Sequence, residues 1–235
     1  MKAEILVNLM NTAKNELDRF VADLSDTERN KAGAPDHWSV KDVVAHLGTG
    51  QCRLVNEIDR VEAGEKLPEW GDLDAANLVI FQQNEHRCWD DVWRDAERCS
   101  QAAIQRTSSV TEEVLNTQVQ DGRSFARVIF GNSFMHWIEH LISCCLERGD
   151  VTNAERLVDL ECCELQTFDP SPRTQAVASY NRACFFARTT QTEKAVKLLS
   201  EVFWIRPDLR DWAKQDGDLV NLRGLKEFED LFPAG

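Results

Sequence analysis

The sequence lacks a basic surplus, a long apolar run, a paired-cysteine metal motif and any segment with strand periodicity. In 235 residues there are 27 Lys and Arg against 40 Asp and Glu, a formal net charge of -13. Proteins that track nucleic-acid phosphates carry a basic footprint, so nucleic acid is not an expected partner. No stretch of about eighteen apolar residues occurs, which removes membrane spanning from the expectations. Met1-Lys2-Ala3-Glu4 opens an amphipathic stretch without an apolar signal region, so the expected location is the reducing cytoplasm. None of the eight cysteines (Cys52, Cys88, Cys99, Cys144, Cys145, Cys162, Cys163 and Cys184) stands two residues from another, as in zinc ribbons and redox motifs. Two pairs are adjacent within helical patterns, where neighbouring side chains diverge and make poor disulfide partners. All eight are therefore expected to be reduced residues of a core or groove.

What the sequence does have is helix periodicity from end to end. Ile5, Leu6, Leu9, Ala13, Leu17, Phe20, Val21 and Leu24 recur at three-and-four spacing, which predicts an amphipathic helix over 3–24. Ser39 followed by Asp42 is an approximate capping box and starts a second helix after Trp38, running through His46 towards Glu62 and stopped by Gly64. Gly48 and Gly50 lie inside it, where glycine loosens a helix or lets something approach the backbone. A third helix is expected over about 74–106, a polar linker over 112–122, and a fourth helix over about 124–148. Four helices with one long polar connection and no strand predict an all-α four-helix bundle.

The fourth helix carries Phe134-Met-His136-Trp137-Ile-Glu139-His140-Leu141. Residues four apart share a helix face, so His136 and His140 can address one point. Two imidazoles are half of a metal site, and His46 on the second helix is the evident third ligand. Packed together, the two helices would enclose a three-histidine site with room for water or substrate, suited to zinc, nickel, iron or copper. His136-x-x-Glu139-His140 matches an inverted zinc-peptidase pattern in letters, but the all-helical chain lacks that motif's α/β context. The catalytic group is expected to be a metal-bound water, with His86 and Glu139 as minor candidates. Trp38, Trp89, Trp93 and Trp137 read mainly as core, with Trp137, beside a ligand, the best exception.

After Gly149-Asp150 the pattern changes. Helices are expected over 153–168, 174–188 and 193–205, the last closed by Arg206-Pro207. Two helices of about a dozen residues, a short turn and a closing proline are similar to a tetratricopeptide unit. Ala183 and Phe186 on its first helix, and Ala195, Leu199 and Val202 on its second, occupy the repeat's small and large positions. Residues 149–235 are therefore expected to form a small tetratricopeptide-like module, which offers a surface for a protein partner.

Residues 1–148 resemble the DinB-like (DinB/YfiT) superfamily of four-helix bundles. The likeness rests on Trp38-Ser-Val-Lys-Asp-Val-Val-Ala-His46-Leu47 and on the His136/His140 pair. Asn84 through Trp93 and Glu139-His140-Leu141 look most like the ClbS/DfsB branch. The resemblance implies an up-down-down-up bundle and a divalent metal, zinc or nickel most often, held by His46, His136 and His140. It also implies a small-molecule substrate, with chemistry of the metal-dependent hydrolase or thiol-dependent transferase type, and dimers in some members. The alternative is a non-catalytic binding or scaffold protein that works through the C-terminal module.

Overall fold

A computed structural model describes residues 1–69, 71–119 and 122–232. Trp70, Gln120 and Asp121 of the expected connections and the last three residues of the C-terminal module lie outside the described residues. The described chain is all-helical, with 75% of it in helix and no strand. No helix among the described residues is long and apolar enough to cross a membrane. The chain divides into two compact units, Met1–Leu141 and Ile142–Gly235. That division falls within the last helix of the first unit, ahead of the Gly149-Asp150 punctuation.

In the first unit, helix α1 (Ala3–Ala22) buries Leu6, Leu9, Met10, Ala13, Leu17, Phe20 and Val21, the apolar stripe of its sequence. Ser25 and Glu28 cap a single turn, α2 (Asp26–Arg29). Helix α3 (Val40–Glu62) begins at the Ser39/Asp42 capping box: the Asp42 amide donates to Ser39 Oγ at 3.4 Å and the Ser39 amide to Asp42 Oδ2 at 2.8 Å. Gly64, at φ +73°, takes the left-handed conformation that closes it.

The single helix expected over 74–106 is two, α4 (Leu73–Asn84) and α5 (Trp89–Ser108). The break has a tertiary cause. Buried Lys41 of α3 donates through Nζ to the carbonyls of Glu85 (3.0 Å) and Arg87 (2.9 Å), taking them out of a helical ladder. Helix α6 (Glu112–Asn116), capped by Thr111, forms within the expected polar linker. Helix α7 (Phe125–Phe130) then runs through a π turn at Gly131–Met135 into α8 (His136–Glu147).

Helix α3 packs along α5, which also meets α1, while the π turn meets both α1 and α3. Gly48 is what lets α3 and α5 close: a Cβ there would stand 2.7 Å from Ala96 Cα. One turn further along the same seam, Cys52 and Cys99 form a disulfide with Cα atoms 4.9 Å apart. The expectation of eight reduced cysteines is thus corrected for this pair. The divergence argument applies to neighbours on one helix, whereas these two cysteines come from different helices brought within bonding range. Cys88, Cys144, Cys145, Cys162, Cys163 and Cys184 are in no disulfide.

In the second unit, α9 (Val151–Phe168), α10 (Pro172–Arg188) and α11 (Thr192–Ile205) follow the expected spans within two residues. Ser171 caps α10 with Pro172 in its first turn, where a missing N–H costs nothing. Helix α10 packs on both α9 and α11. Ala183 and Ala195 are fully buried and permit close approach of α10 and α11, with Leu199, Val202, Phe203, Leu219, Leu222 and Phe228 filling the core. Helix α12 (Leu209–Ala213), a 3₁₀ turn at Gly217–Leu222 and α13 (Lys226–Glu229) complete the unit.

Candidate metal centre

The cap at Ser39 fixes the phase of α3, and the turn of α8 after Met135 fixes that of the histidine pair. His46, His136 and His140 consequently meet. The Nε2 atoms of His46 and His140 each lie 3.0 Å from His136 Nε2. Ring centroids are 4.9 Å apart for His46/His136, 5.1 Å for His46/His140 and 4.7 Å for His136/His140. The three residues form a cluster that could hold a metal ion. Tetrahedral zinc, with Zn–N near 2.1 Å, separates its nitrogens by about 3.4 Å, so the rings need open by only a few tenths of an ångström.

Electrostatics favour the same state. Burial holds His46 down to about 4, with the His136 ring and the Arg53 guanidinium adding to it. Burial, then the His136 and His46 rings, hold His140 down to about 3. His136 is lowered by burial and by Arg53. All three imidazoles are neutral at pH 7, the form in which histidine ligates a metal. His46 Nδ1 is buried without a hydrogen-bond partner, so the ring's placement is not explained by a bond on that side. The donor set fits a divalent ion.

The cluster lies in the wall of a cavity of ≈ 490 Å³, within the range of small-molecule sites. Three helix faces line it, each with an i, i+3, i+4, i+7 run. From α3 come His46, Thr49, Gly50 and Arg53; from α4 come Leu73, Ala76, Asn77 and Ile80. The third run, Asn132, Met135, His136 and Glu139, starts in the π turn, an element often found at functional sites.

The minor candidates separate. Glu139 lines the cavity but is solvent-exposed, and it is not one of the clustered ligands. His86 is 92% exposed, beside Glu85 in the α4–α5 break, and does not line the cavity. It was expected on a continuous third helix, and the break turns it outwards. Trp137 is buried, with Nε1 unpartnered, and is also absent from the cavity wall. The aromatic at the site is Trp38, which stacks on His140 at 6.2 Å and tilts on His46 at 4.9 Å. Trp89 is buried, as expected of core.

Arg53, Thr49, Asn77 and Asn132 also escaped the sequence reading. The signal for Arg53 was its position seven residues after His46 on one helix face. No family model, curated protein or solved structure matches the chain.

Proposed function

We propose that the chain is a divalent-metal-dependent enzyme of the hydrolase or thiol-dependent transferase type, acting on a small molecule in the first unit's cavity. The convergence of three imidazole nitrogens in the wall of that cavity carries the reading. In it the first unit is a DinB-like four-helix bundle, up-down-down-up, and the second a tetratricopeptide-like module. His46, His136 and His140 hold the ion, zinc or nickel. The ion supplies Lewis-acid polarisation of a substrate oxygen or activation of a water or thiol.

The chain's own groups set the conditions for that chemistry. Half-buried, neutral histidines keep their lone pairs available at pH 7. Trp38 restrains the His46 and His140 rings by stacking. Leu73, Ala76 and Ile80 make the α4 wall apolar apart from Asn77, and apolar surface strengthens electrostatic interactions inside a site. The test is a panel of ester, amide and thiol-transfer substrates, assayed with chelator-stripped protein before and after zinc or nickel is restored. Turnover that appears with metal and is absent in His136→Ala is the expected result. Turnover that survives chelation and His136→Ala removes the metal from the reaction.

A second reading, a binding or scaffold protein, is favoured by the surface of the second unit. Trp204 is 88% exposed, and Ile205 and Trp212 are exposed as well, a common composition for protein-binding surfaces. Capture of a partner by the full chain, lost in Trp204→Ala, would support it.

A further inference from the structure

We propose that the Cys52–Cys99 disulfide is a thiol-exchange site, at which a small thiol releases the α3–α5 cross-link and loosens the α4 wall of the histidine cavity. The bond joins α3 to α5 across 47 positions of sequence. Both cysteines line a second cavity, of ≈ 220 Å³, with Thr49 from α3, Gln83 and Asn84 from α4, and Ala96 from α5. Their exposures differ: Cys52 is exposed, whereas Cys99 is only 6% exposed. A disulfide in a cavity wall with one accessible cysteine can meet a thiolate without unfolding, and attack falls on the accessible sulfur. Two equivalents of the thiol balance the reaction. The first thiolate bonds to Cys52 Sγ, the Sγ–Sγ bond breaks, and its electron pair leaves on Cys99 Sγ. A second thiolate attacks the small-molecule sulfur of that mixed disulfide, leaves as the symmetrical disulfide and releases Cys52. Two electrons pass from the small thiols to the cystine, and the protons they lose end on the two cysteines.

The consequence for the site follows from what the bond encloses. All of α4 lies between Cys52 and Cys99. It walls the histidine cavity through Leu73, Ala76, Asn77 and Ile80, and the second cavity through its last two residues. Thr49, one turn before Cys52, lines both cavities. Helix α4 is thinly held. It buries Phe81 and Asn84, while residues 73–80 hold no buried side chain. Lys41 ties the carbonyls just beyond its C-terminal end to α3, which leaves its first two turns without a buried anchor. An element with so few buried contacts opens locally at small cost. A cross-link that closes a loop around it limits the freedom gained on opening, and reduction removes that limit. The Gly48–Ala96 approach still holds α3 against α5, so the wall loosens while the unit stays folded.

The probe is reduced glutathione, added in oxygen-free buffer to the full-length protein prepared without reductant. Thiols are counted, and modified cysteines are mapped by peptide mass spectrometry. The bond should be reduced at a rate within about tenfold of that in denaturant, because access rather than unfolding admits the thiol. The mixed disulfide, trapped by acid, should lie on Cys52. A slower rate, an adduct on Cys99, or eight thiols before any glutathione is added would each overturn the exchange site. Amide hydrogen exchange is followed in parallel. Over residues 73–80 it should quicken at least about tenfold on reduction, with α10 unchanged as the reference. Cys52→Ser/Cys99→Ser should show the quicker exchange with no glutathione present. Unchanged exchange over 73–80 after complete reduction of the unaltered protein would contradict the hold of the disulfide on α4.

Discussion

Among the described residues, each unit holds a cluster of three side chains that could ligate a metal: His46, His136 and His140 in the first, and Cys184, Asp216 and Asp218 in the second. Their surroundings differ in kind. In the second cluster the fold has used the ligand atoms. Tyr180 donates its hydroxyl to Asp216 Oδ2 at 2.8 Å, and the Cys184 thiol approaches the same oxygen at 3.8 Å. Asp216 Oδ1 accepts from the Asp218 amide at 3.0 Å, which caps the 3₁₀ turn, and Arg188 stands 3.6 Å from Asp218. Burial, reinforced by Asp216, pushes the Cys184 thiol and the Tyr180 hydroxyl well above their usual ranges, so both stay protonated. An ion there would have to displace bonds that tie α10 to the C-terminal turns. In the first cluster the three Nε2 atoms face one another, and the rings border a cavity. Convergence of ligand types is thus a weak criterion. Whether the fold already uses their lone pairs and protons separates a site from a brace.

Asp216→Ala is the most severe way to probe the difference. It leaves the Tyr180 hydroxyl and the Asp218 amide without their acceptor, at a cost of about 1–3 kcal/mol in unfolding free energy. Metal stoichiometry should be unchanged. Loss of metal in this variant, with the fold retained, would erase the distinction between the clusters.

A second difference is read through pH. His46 and His140 are held to about 4 and about 3 in the fold, against 6.5 for an unperturbed imidazole. As pH falls below about 6.5, the unfolded chain takes up protons that the folded cluster refuses. The metal-free protein should therefore lose stability between about pH 6.5 and 3, and hold it fully above that window. Thermal unfolding of the stripped protein across this range should show the decline. The triple variant His46→Ala/His136→Ala/His140→Ala should show a flatter profile over the same range. Parallel profiles would mean that the rings titrate as ordinary exposed histidines.

How much of this was legible in the sequence follows from the range of the interactions involved. The Ser39/Asp42 cap, the Gly64 stop and the His136/His140 pair are local, and each could be read from residues within one or two turns. The third histidine of the cluster, His46, lies ninety positions before His136, but helix periodicity gave its face. What was missed depends on contacts between helices. Lys41 breaks α4 from α5 by bonding carbonyls more than forty residues away, and no Gly or Pro marks the place. The Cys52–Cys99 disulfide needs the Gly48/Ala96 approach, which no spacing of cysteines reveals. His86 was placed on a helix that this break removes. Trp38 and Trp137 exchanged roles because both precede or follow a histidine of the cluster in sequence, and only packing decides which ring stacks on the imidazoles.

The central claim is that the histidine cluster holds a metal ion, and elemental analysis of the untagged protein purified without chelator tests it most directly. Beside it stands the triple alanine variant, with helical content checked by circular dichroism. About one zinc or nickel per chain, lost in the variant while helicity is retained, is the result expected of a three-ligand site. A metal-free protein that also refuses added zinc and nickel, or a variant that keeps its metal, would contradict it.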